Sequence, residues 1–331
     1  MKIEAIKQIV WLASYPKSGN TWVRLFLEAY LTGNADINRM LVTLGDDAAG
    51  LYNLGDGGLP HNDPIEIILY TRPVALLRLI RIKLQDKNNQ LPLILKTHVP
   101  CINANGIEML PVQMTRAIVH IVRDPRDVVS SYANHMGLTI DEAIHDMQKK
   151  TKFTVSSAQR VGGLIGSWDL HARSFLETNV YNRLKTWHYE DLRLNPGKYF
   201  AEILEHIGFD VDRDRIDKAL ELTDLDLLAR QEKANGFVEA SHKAVDPFFH
   251  TGDVMGWKKK LTDIQALKIY NAFSREMKKL GYTRSGYTEL ENDSAIKERS
   301  EQKSDRRKYQ GNDAFRLSKR SGSGREHAAG K

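Results

Sequence analysis

Short apolar runs separated by polar and amphipathic stretches occupy most of the chain. Gln8–Ser14, Leu91–Leu95 and Ala117–Val122 are brief and mostly apolar, which predicts buried strands, and Arg183–Trp187 is a weaker fourth candidate. Buried strands separated by helical stretches are typical of α/β proteins. We therefore expect a single α/β domain with a central, mostly parallel sheet flanked by helices on both faces.

Helical patterns lie between the predicted strands. Thr21–Leu31 places apolar side chains on one face at 3.6-residue spacing. The same spacing predicts helices over Pro125–Tyr132, Ile140–Lys149, Gly162–Glu177, Pro196–Ile207, Arg213–Thr223 and Asp263–Leu280. Between Asp36 and Gln90 the pattern weakens, and Val74–Leu84 is the one helix predicted there. Irregular insertions of this length often carry substrate loops.

The C-terminal tail differs from the rest of the chain in composition. Residues 284–331 contain 12 Lys/Arg and 8 Asp/Glu, so they carry +4 of the total net charge of +6. They are rich in Ser, Gly and charged residues, which predicts disorder. We expect a folded domain over residues 1–283 and a basic, disordered tail over 284–331. Nucleic acid is not an expected partner, apart from a weak contact of this tail.

Cysteine content and hydropathy indicate the compartment. A single cysteine, Cys101, excludes an intramolecular disulfide and fits a reducing environment. No apolar run approaches the roughly 20 residues needed to cross a bilayer. Ile9–Ala13 is also too short for the core of a signal peptide. The expected location is the cytoplasm, without a membrane span.

The first chemical motif, Tyr-Pro-Lys-Ser-Gly-Asn-Thr-Trp at residues 15–22, joins the first predicted strand to its helix. A helix N-terminus presents unpaired N–H groups that bind anions, and Lys17 adds a full charge. The motif is not a Walker A loop, because Lys17 precedes the one glycine of the motif, Gly19. Ordinary turn chemistry followed by a threonine cap is the alternative interpretation of this loop taken alone.

The second motif, Lys-Thr-His-Val-Pro at residues 96–100, follows another predicted strand. His98 is a candidate base, because the usual imidazole pKa of about 6.5 suits proton abstraction at neutral pH. A structural polar residue at a strand exit is the alternative. The C-terminal ends of parallel strands line one crevice, so Lys96 and His98 are expected beside the first motif.

The third motif, Arg-Asp-Pro-Arg-Asp at residues 123–127, also ends a predicted strand. Asp124 is predicted as a helix N-cap followed by proline at the first helical position. Arg123 can bind a phosphate with two hydrogen bonds, and Ser131 can add a hydroxyl about two turns into the helix. An arginine paired with the capping aspartate is the alternative. The sequence therefore predicts three anion-binding strand exits at one edge of the sheet.

In order and spacing, these motifs resemble those of the cytosolic-type sulfotransferases, in the style of a bacterial member. Later segments agree, namely Tyr-Glu-Asp-Leu at 189–192, Asn-Pro at 195–196 and Gly-Trp-Lys at 256–258, so the likeness covers roughly residues 8–282. The resemblance implies the P-loop-like sulfotransferase fold. It also implies transfer of a sulfuryl group from 3′-phosphoadenosine 5′-phosphosulfate (PAPS) to a hydroxyl of a small, apolar alcohol or phenol. The expected product is adenosine 3′,5′-bisphosphate (PAP), and no metal is expected.

The resemblance also implies which residues act. His98 matches the catalytic base, and Lys96 and Lys17 would neutralise charge on the leaving phosphate. Arg123 and Ser131 match a clamp on the 3′-phosphate. The full set implied to bind the donor is Lys17, Ser18, Gly19, Asn20, Thr21, Trp22, Arg123, Ser131, Tyr189, Thr223 and Gly252.

Two segments depart from the family pattern. His-Thr-Gly at residues 250–252 replaces the usual Arg-Lys-Gly, which predicts weaker or more pH-dependent donor binding. The family's dimer motif keeps Lys258 and Thr262 but has Asp263 and Leu267 at its Val and Glu positions. Dimerisation by that route is not expected, and the oligomeric state stays open.

Two other functions remain as alternatives. A P-loop nucleotide kinase would bind phosphate on a similar strand, loop and helix, but the chain lacks the Gly-Lys-Ser/Thr ending and an acidic strand end. A non-catalytic nucleotide-binding protein would not need His98 beside Lys96. The acceptor pocket is expected within 36–90, 135–157 and 236–249. Those segments contain Tyr52, His61, Tyr70, Met136, Phe153, Phe237, Phe248 and Phe249, which favours an apolar acceptor.

Overall fold

The computed structural model describes residues 9–38, 76, 92–104, 106–152, 164–179, 182–250 and 252–288. The strands are β1 (Ile9–Ser14), β2 (Leu93–Thr97), β3 (Asn103–Ala104), β4 (Ile107–Glu108), β5 (Thr115–Val122) and β6 (Leu184–His188). The helices are α1 (Asn20–Thr32), α2 (Pro125–Met136), α3 (Ile140–Met147), α4 (Trp168–Leu176), α5 (Tyr189–Leu194), α6 (Pro196–Ile207), α7 (Arg213–Leu222), α8 (Leu225–Asn235), α9 (Trp257–Lys260) and α10 (Asp263–Lys279). A 3₁₀ turn, Val112–Met114, leads into β5.

The central sheet has four strands in the order β2-β1-β5-β6, and all three pairings are parallel. All six residues of β1, the second strand in that order, are buried, as expected for a strand covered on both faces. In register, Leu12 lies opposite Lys96, Ser14 opposite Ile121, and Val122 opposite His188. The ends of all four strands therefore meet at one edge of the sheet, as the motifs predicted.

Alternate residues of β1 enter two different cores. Val10 and Leu12 pack in a cluster that includes Phe26 of α1 and residues of α6 and α7. Trp11, on the opposite face, packs in a second cluster that includes Phe175 of α4. The two-residue period of a strand produces this division. Helices cover both faces, and the predicted fold class is confirmed.

Capping explains where two helices begin. Asp124 is the N-cap of α2, and its side chain accepts a hydrogen bond from the Arg126 N–H, with Pro125 at the first position. Thr139 and Glu142 form a reciprocal capping box at α3. The helix predicted from Gly162 is wrong at its start, because α4 begins at Trp168 after Gly166, which has a φ of +70°.

Three helices were not predicted: α5, α8 and α9. Two of them, α5 and α9, are only 6 and 4 residues long, too short for helical periodicity to be visible in the sequence. The predicted helix Val74–Leu84 lies outside the described residues except for Leu76. No helix in the described ranges is long and apolar enough to cross a membrane.

Contacts divide the chain into two units, Met1–Met277 and Lys278–Lys331. In the described part of the second unit, Tyr282 and Tyr287 form an antiparallel bridge with their rings 5.4 Å apart. Residues 289–331 lie outside the described residues, so the predicted boundary between residues 283 and 284 stays a prediction.

Candidate active site

The loop between β1 and α1 has an unusual backbone. Lys17 has a φ of +68°, a conformation that costs energy for a residue with a Cβ, and Gly19 has a φ of +97°. Gly19, rather than Thr21, is the N-cap of α1, so the threonine-cap interpretation is wrong. A Cβ on Gly19 would lie 2.4 Å from Cδ2 of Tyr189. The loop therefore requires glycine for both its conformation and its contact with α5.

Two polar side chains of this loop are buried. The Ser18 hydroxyl is fully buried and makes no hydrogen bond, which is costly unless a ligand pairs with it. Asn20 instead donates from Nδ2 to the Leu12 carbonyl at 2.8 Å, so its amide ties α1 to the sheet. Of these two side chains, Ser18 is the one that can serve a bound anion.

Lys17 lies in a low-polarity environment for a cation. Its Nζ lies 3.6 Å from the centre of the Phe248 ring. Burial, with the like charge of Lys96, lowers the pKa of Lys17 to about 7. An anion bound here would stabilise the ammonium form, so this lysine can couple anion binding to proton uptake.

Glu239 was not among the predicted site residues, although it forms ion pairs with both Arg24 and Lys96. Its Oε1 is 2.7 Å from Nη1 of Arg24 and 3.2 Å from Nζ of Lys96. Thr21 donates from Oγ1 to Glu239 Oε2 at 3.5 Å. Burial alone would raise the pKa of Glu239, but Lys96 and Arg24 lower it to about 2. A lone glutamate among aromatic residues gave no sequence signal, since its partners are more than 140 residues away.

His98 is held in one tautomer by the end of β1. Its Nδ1 lies 2.7 Å from the carbonyl oxygen of Ser14, and this oxygen can only accept a hydrogen bond. Nδ1 therefore carries the proton in the neutral ring, which leaves Nε2 unprotonated. The strand contact prepares His98 to accept a proton at Nε2, as a general base requires.

Arg123 links the end of β5 to two other segments. Its Nη2 donates to the Asp253 carbonyl at 2.8 Å and Nη1 to the Lys17 carbonyl at 3.4 Å. The guanidinium also lies 4.3 Å from the centre of the Tyr189 ring. Nε is buried and makes no hydrogen bond, so a donor remains for a ligand. The alternative of Arg123 paired with Asp124 is wrong, because Asp124 pairs with Arg126 at 2.6 Å.

Buried carboxylates behind Arg123 hold the backbone around it. Asp127 accepts hydrogen bonds from the N–H groups of Met255 and Trp257, at 2.9 and 2.7 Å. Glu190 accepts one from the Asp124 N–H at 2.9 Å. Burial raises the pKa of Asp127 to about 6 and that of Glu190 to about 8. The predicted motif contained Asp127, but its role in holding residues 252–257 follows only from the structure.

Ser131 lines a narrow recess together with Lys17, His135, Phe248 and His250. The Nδ1 atom of His250 is buried and makes no hydrogen bond. Burial and the charge of Lys17 lower the pKa of His135 to about 4, so this ring is neutral at pH 7. The departure from the family pattern at residue 250 therefore lies next to both Ser131 and Lys17.

Trp22, Tyr189 and Thr223, three residues of the set implied to bind the donor, make contacts of two kinds. Trp22 packs edge-on against Tyr189, with ring centres 6.2 Å apart, and Tyr189 donates to the Gly252 carbonyl at 3.1 Å. Arg193, which sequence reasoning missed, lies 5.1 Å from the centre of the Trp22 ring. Thr223 is buried at the end of α7, where it donates to a carbonyl of its own helix. The described contacts of Thr223 are thus local to α7.

Within the described ranges, no group of three or more His, Cys, Asp and Glu side chains is arranged to hold a metal ion. Several predicted acceptor-pocket residues, Tyr52, His61, Tyr70 and Phe153, lie outside the described residues. Phe237, Phe248 and Phe249 do lie together, with ring centres between 4.8 and 5.1 Å apart.

Comparison with known proteins gives a consistent assignment. A family model described as "Sulfotransferase domain" matches residues 7–281. Mouse sulfotransferase 1 family member D1 is 25% identical over 289 residues, covering 83% of this chain and 85% of the relative. Bovine sulfotransferase 1E1 is 24% identical, covering 84% and 86%.

Two solved structures share the fold. Retinol dehydratase in a complex with retinol and PAP has a TM-score of 0.56 at 15% identity, covering 82% of each chain. Mouse sulfotransferase SULT7A1 complexed with PAP has a TM-score of 0.50 at 20% identity, covering 82% of this chain and 84% of that one. At these identities the two structures support the fold alone.

Proposed function

This chain belongs to the sulfotransferase family, and from that premise we propose that its reaction occurs where β1, β2 and β5 end. The main support is the hydrogen bond from Nδ1 of His98 to the Ser14 carbonyl, because it leaves Nε2 of the neutral ring able to accept a proton. His98 directly follows β2, which contains Lys96, and it lies beside the loop between β1 and α1 that contains Lys17. A base beside cations is what sulfuryl transfer to a hydroxyl needs.

The proposed donor is PAPS, and the residues present fit it. The buried Ser18 hydroxyl and the buried Arg123 Nε each lack a hydrogen-bond partner, and both can pair with phosphate oxygens. At the start of α1, the N–H groups of Trp22 and Val23 donate to the Gly19 carbonyl. Asn20 and Thr21 lie in the first turn, where N–H groups have no i−4 acceptor within the helix and favour an anion. Two of the structural neighbours, retinol dehydratase and mouse SULT7A1, are complexed with PAP, which supports the same choice. When bound, this donor supplies an activated sulfuryl group on its 5′-phosphate.

In the proposed mechanism, each residue has a defined task. Nε2 of His98 removes the proton of the acceptor hydroxyl, so that its oxygen can attack the sulfur. Lys17 and Lys96 stabilise the negative charge that develops on the leaving phosphate. Partial burial of Lys17, Lys96 and His98 strengthens both interactions. These cations provide the charge stabilisation, so the proposed reaction requires no metal.

Recognition of the rest of the donor is assigned to the β5 and β6 ends of the sheet. Arg123 and Ser131 would hold the 3′-phosphate, while Trp22 and Tyr189 flank the position proposed for adenine. The unpredicted Arg193 lies over Trp22 and would pack on the base as well. Thr223 also belongs to the proposed donor site, and its described hydrogen bonds are to carbonyls of its own helix.

The proposed acceptor is a small, apolar alcohol or phenol. The cluster of Phe237, Phe248 and Phe249 lies beside Lys17 and offers an apolar wall. Retinol dehydratase, which shares the fold, is known in complexes with retinol and with androsterone, both apolar alcohols.

A cytoplasmic location remains part of the proposal, in accord with the single buried cysteine, Cys101.

Calorimetric titration with PAP tests the donor assignment, with ATP and AMP as comparison ligands. We expect PAP to bind most tightly, and Arg123→Ala and Lys17→Ala each to weaken binding at least about tenfold, or about 1.4 kcal/mol. Arg275→Ala, at an exposed arginine paired with Glu177, is the matched control and should bind like the wild type. Tighter binding of ATP than of PAP would favour a nucleotide kinase instead.

A further inference from the structure

A single carboxylate connects α1 to the catalytic end of β2. Glu239 Oε1 is shared between Arg24 Nη1 at 2.7 Å and Lys96 Nζ at 3.2 Å, and Oε2 faces Thr21. The side chains of Lys96 and Glu239 are only 13% and 15% exposed. These charge-assisted hydrogen bonds are therefore poorly screened and directional.

Arg24 fixes the position of that carboxylate. Its side chain is fully buried, and Glu239 accepts the hydrogen bond of Nη1, while Nε and Nη2 make none. If Glu239 moved away, a buried guanidinium would lose its ion-pair partner, which typically costs several kcal/mol. Arg24 thus holds Glu239 in place, and Glu239 in turn determines where the Lys96 ammonium can lie.

We propose that Arg24 and Glu239 form a positioning pair that orients Lys96 towards the reacting phosphate and sulfuryl oxygens. The proposal rests on the proposed function, because it gives Lys96 its charge-stabilising task. A lysine ammonium is a compact charge on a flexible stem, so it needs an external contact to be preorganised. A shared carboxylate oxygen supplies that contact in the absence of the donor.

The same carboxylate also acts on the other lysine of the cluster. The charge of Glu239 opposes the decrease in the Lys17 pKa that burial and Lys96 produce. With Glu239 neutralised, Lys96 and Lys17 would repel each other without a counter-charge between them. The pair therefore supports the protonated form of Lys17 as well as the position of Lys96.

The test compares Glu239→Gln with the double variant Arg24→Met/Glu239→Gln. PAP affinity is measured by calorimetry, and turnover as PAP release from PAPS, with 2-naphthol as acceptor or, if it does not react, with water. We expect Glu239→Gln to lower kcat on the order of 10²-fold, as for loss of one oriented stabilising donor. PAP affinity should fall by no more than about tenfold, because loss of the Glu239 charge acts on it through a lower pKa of Lys17. The double variant should fold and stay equally inactive.

The double variant separates positioning from stability. It removes both partners of the Arg24–Glu239 ion pair, so the fully buried guanidinium is not left without its carboxylate, and a merely structural pair would regain wild-type kcat in it. Glu276→Gln, at a carboxylate of the Arg173 ion pair, is the control for losing a buried charge elsewhere, with unchanged kcat expected. Wild-type kcat in Glu239→Gln, or its recovery in the double variant, would overturn the proposal.

The outcomes are also distinct from failure of the proposed function. If wild-type protein does not bind PAP, the donor assignment itself is wrong. If wild-type protein binds PAP and turns over, but Glu239→Gln does so equally, only the positioning role is wrong. Thermal unfolding of each variant checks that it is folded before either conclusion is drawn.

Discussion

The two halves of the strand-end crevice handle buried charge in opposite ways. At the β1 and β2 ends, the carboxylate of Glu239 contacts two cations, and its pKa is lowered to about 2. At the β5 and β6 ends, Asp127 and Glu190 accept backbone N–H groups, and burial raises the pKa of these carboxyls to about 6 and 8. Burial penalises the charged form in both halves, and only direct cationic contacts reverse it.

This difference matches two different tasks. The β5 and β6 half needs a fixed backbone, so Asp127 holds residues 255 and 257 while Arg123 contacts the Asp253 carbonyl. The β1 and β2 half is proposed to transfer a proton and to stabilise a developing negative charge. It therefore combines a lysine of lowered pKa, Lys17, with a base of defined tautomer, His98. Under the proposed function, the donor is held by side chains on a backbone that buried carboxyl groups fix, whereas the transfer depends on a base and on side-chain charges.

Replacement of the proposed base, His98, should have the largest effect on turnover and should leave donor binding almost unchanged. We expect His98→Ala to lower turnover by about 10²- to 10⁴-fold, because the variant loses the Nε2 atom proposed to take the acceptor proton. PAP affinity, measured by calorimetry, should change by less than about threefold. His98→Gln, which can still donate to the Ser14 carbonyl but cannot act as a base, should be equally inactive. Turnover close to wild type in either variant would contradict the assignment.

The contact between the two halves can be tested at Gly19. Gly19→Ala adds a Cβ at a φ of +97° and 2.4 Å from Tyr189, so the loop or the ring must move. We expect PAP binding to weaken by roughly 10- to 100-fold, as for a strained backbone that costs 1–3 kcal/mol. Calorimetry and thermal unfolding are the measurements.

Gly33→Ala is the matched control for that change. Gly33 also has a positive φ, +74°, but nothing lies within 4 Å of its added Cβ. This variant should lose about 1–2 kcal/mol of stability from backbone strain, with PAP affinity unchanged. If Gly19→Ala bound PAP as well as Gly33→Ala does, the Gly19 contact with Tyr189 would have no part in donor binding.

The smallest expected effect concerns pH. Because the pKa of Lys17 is lowered to about 7, its ammonium is lost as pH rises through that value in the free protein. The phosphates of PAP are fully ionised above their second pKa of about 6. PAP affinity should therefore fall from pH 7 to pH 8, by at most about tenfold. Lys17→Arg, which stays protonated, should bind with a flatter pH profile, and an equal slope in both proteins would contradict the role of Lys17.

Secondary structure was predicted well where it depends on residues close together in the sequence. β1, β5 and α6 were predicted within two residues at each end, because apolar runs and a proline at the first helical position are local signals. The predicted start of α4 was wrong, because the described residues 164–167 are not helical and α4 begins at Trp168. The short α5 and α9 were missed because one or two turns do not show a period.

The candidate site was predicted in its motifs but not in its connections. The sequence alone determined the parallel α/β fold, the loop at Lys17 that is predicted to bind anions, and the candidates His98, Lys96 and Arg123. Each of these predictions depends on neighbouring residues and on the order of the strands. Only the tertiary structure decided the tautomer of His98, the shared carboxylate of Glu239 and the backbone held by Asp127. These features depend on pairs of residues more than 80 positions apart, whose distances and burial no local pattern encodes.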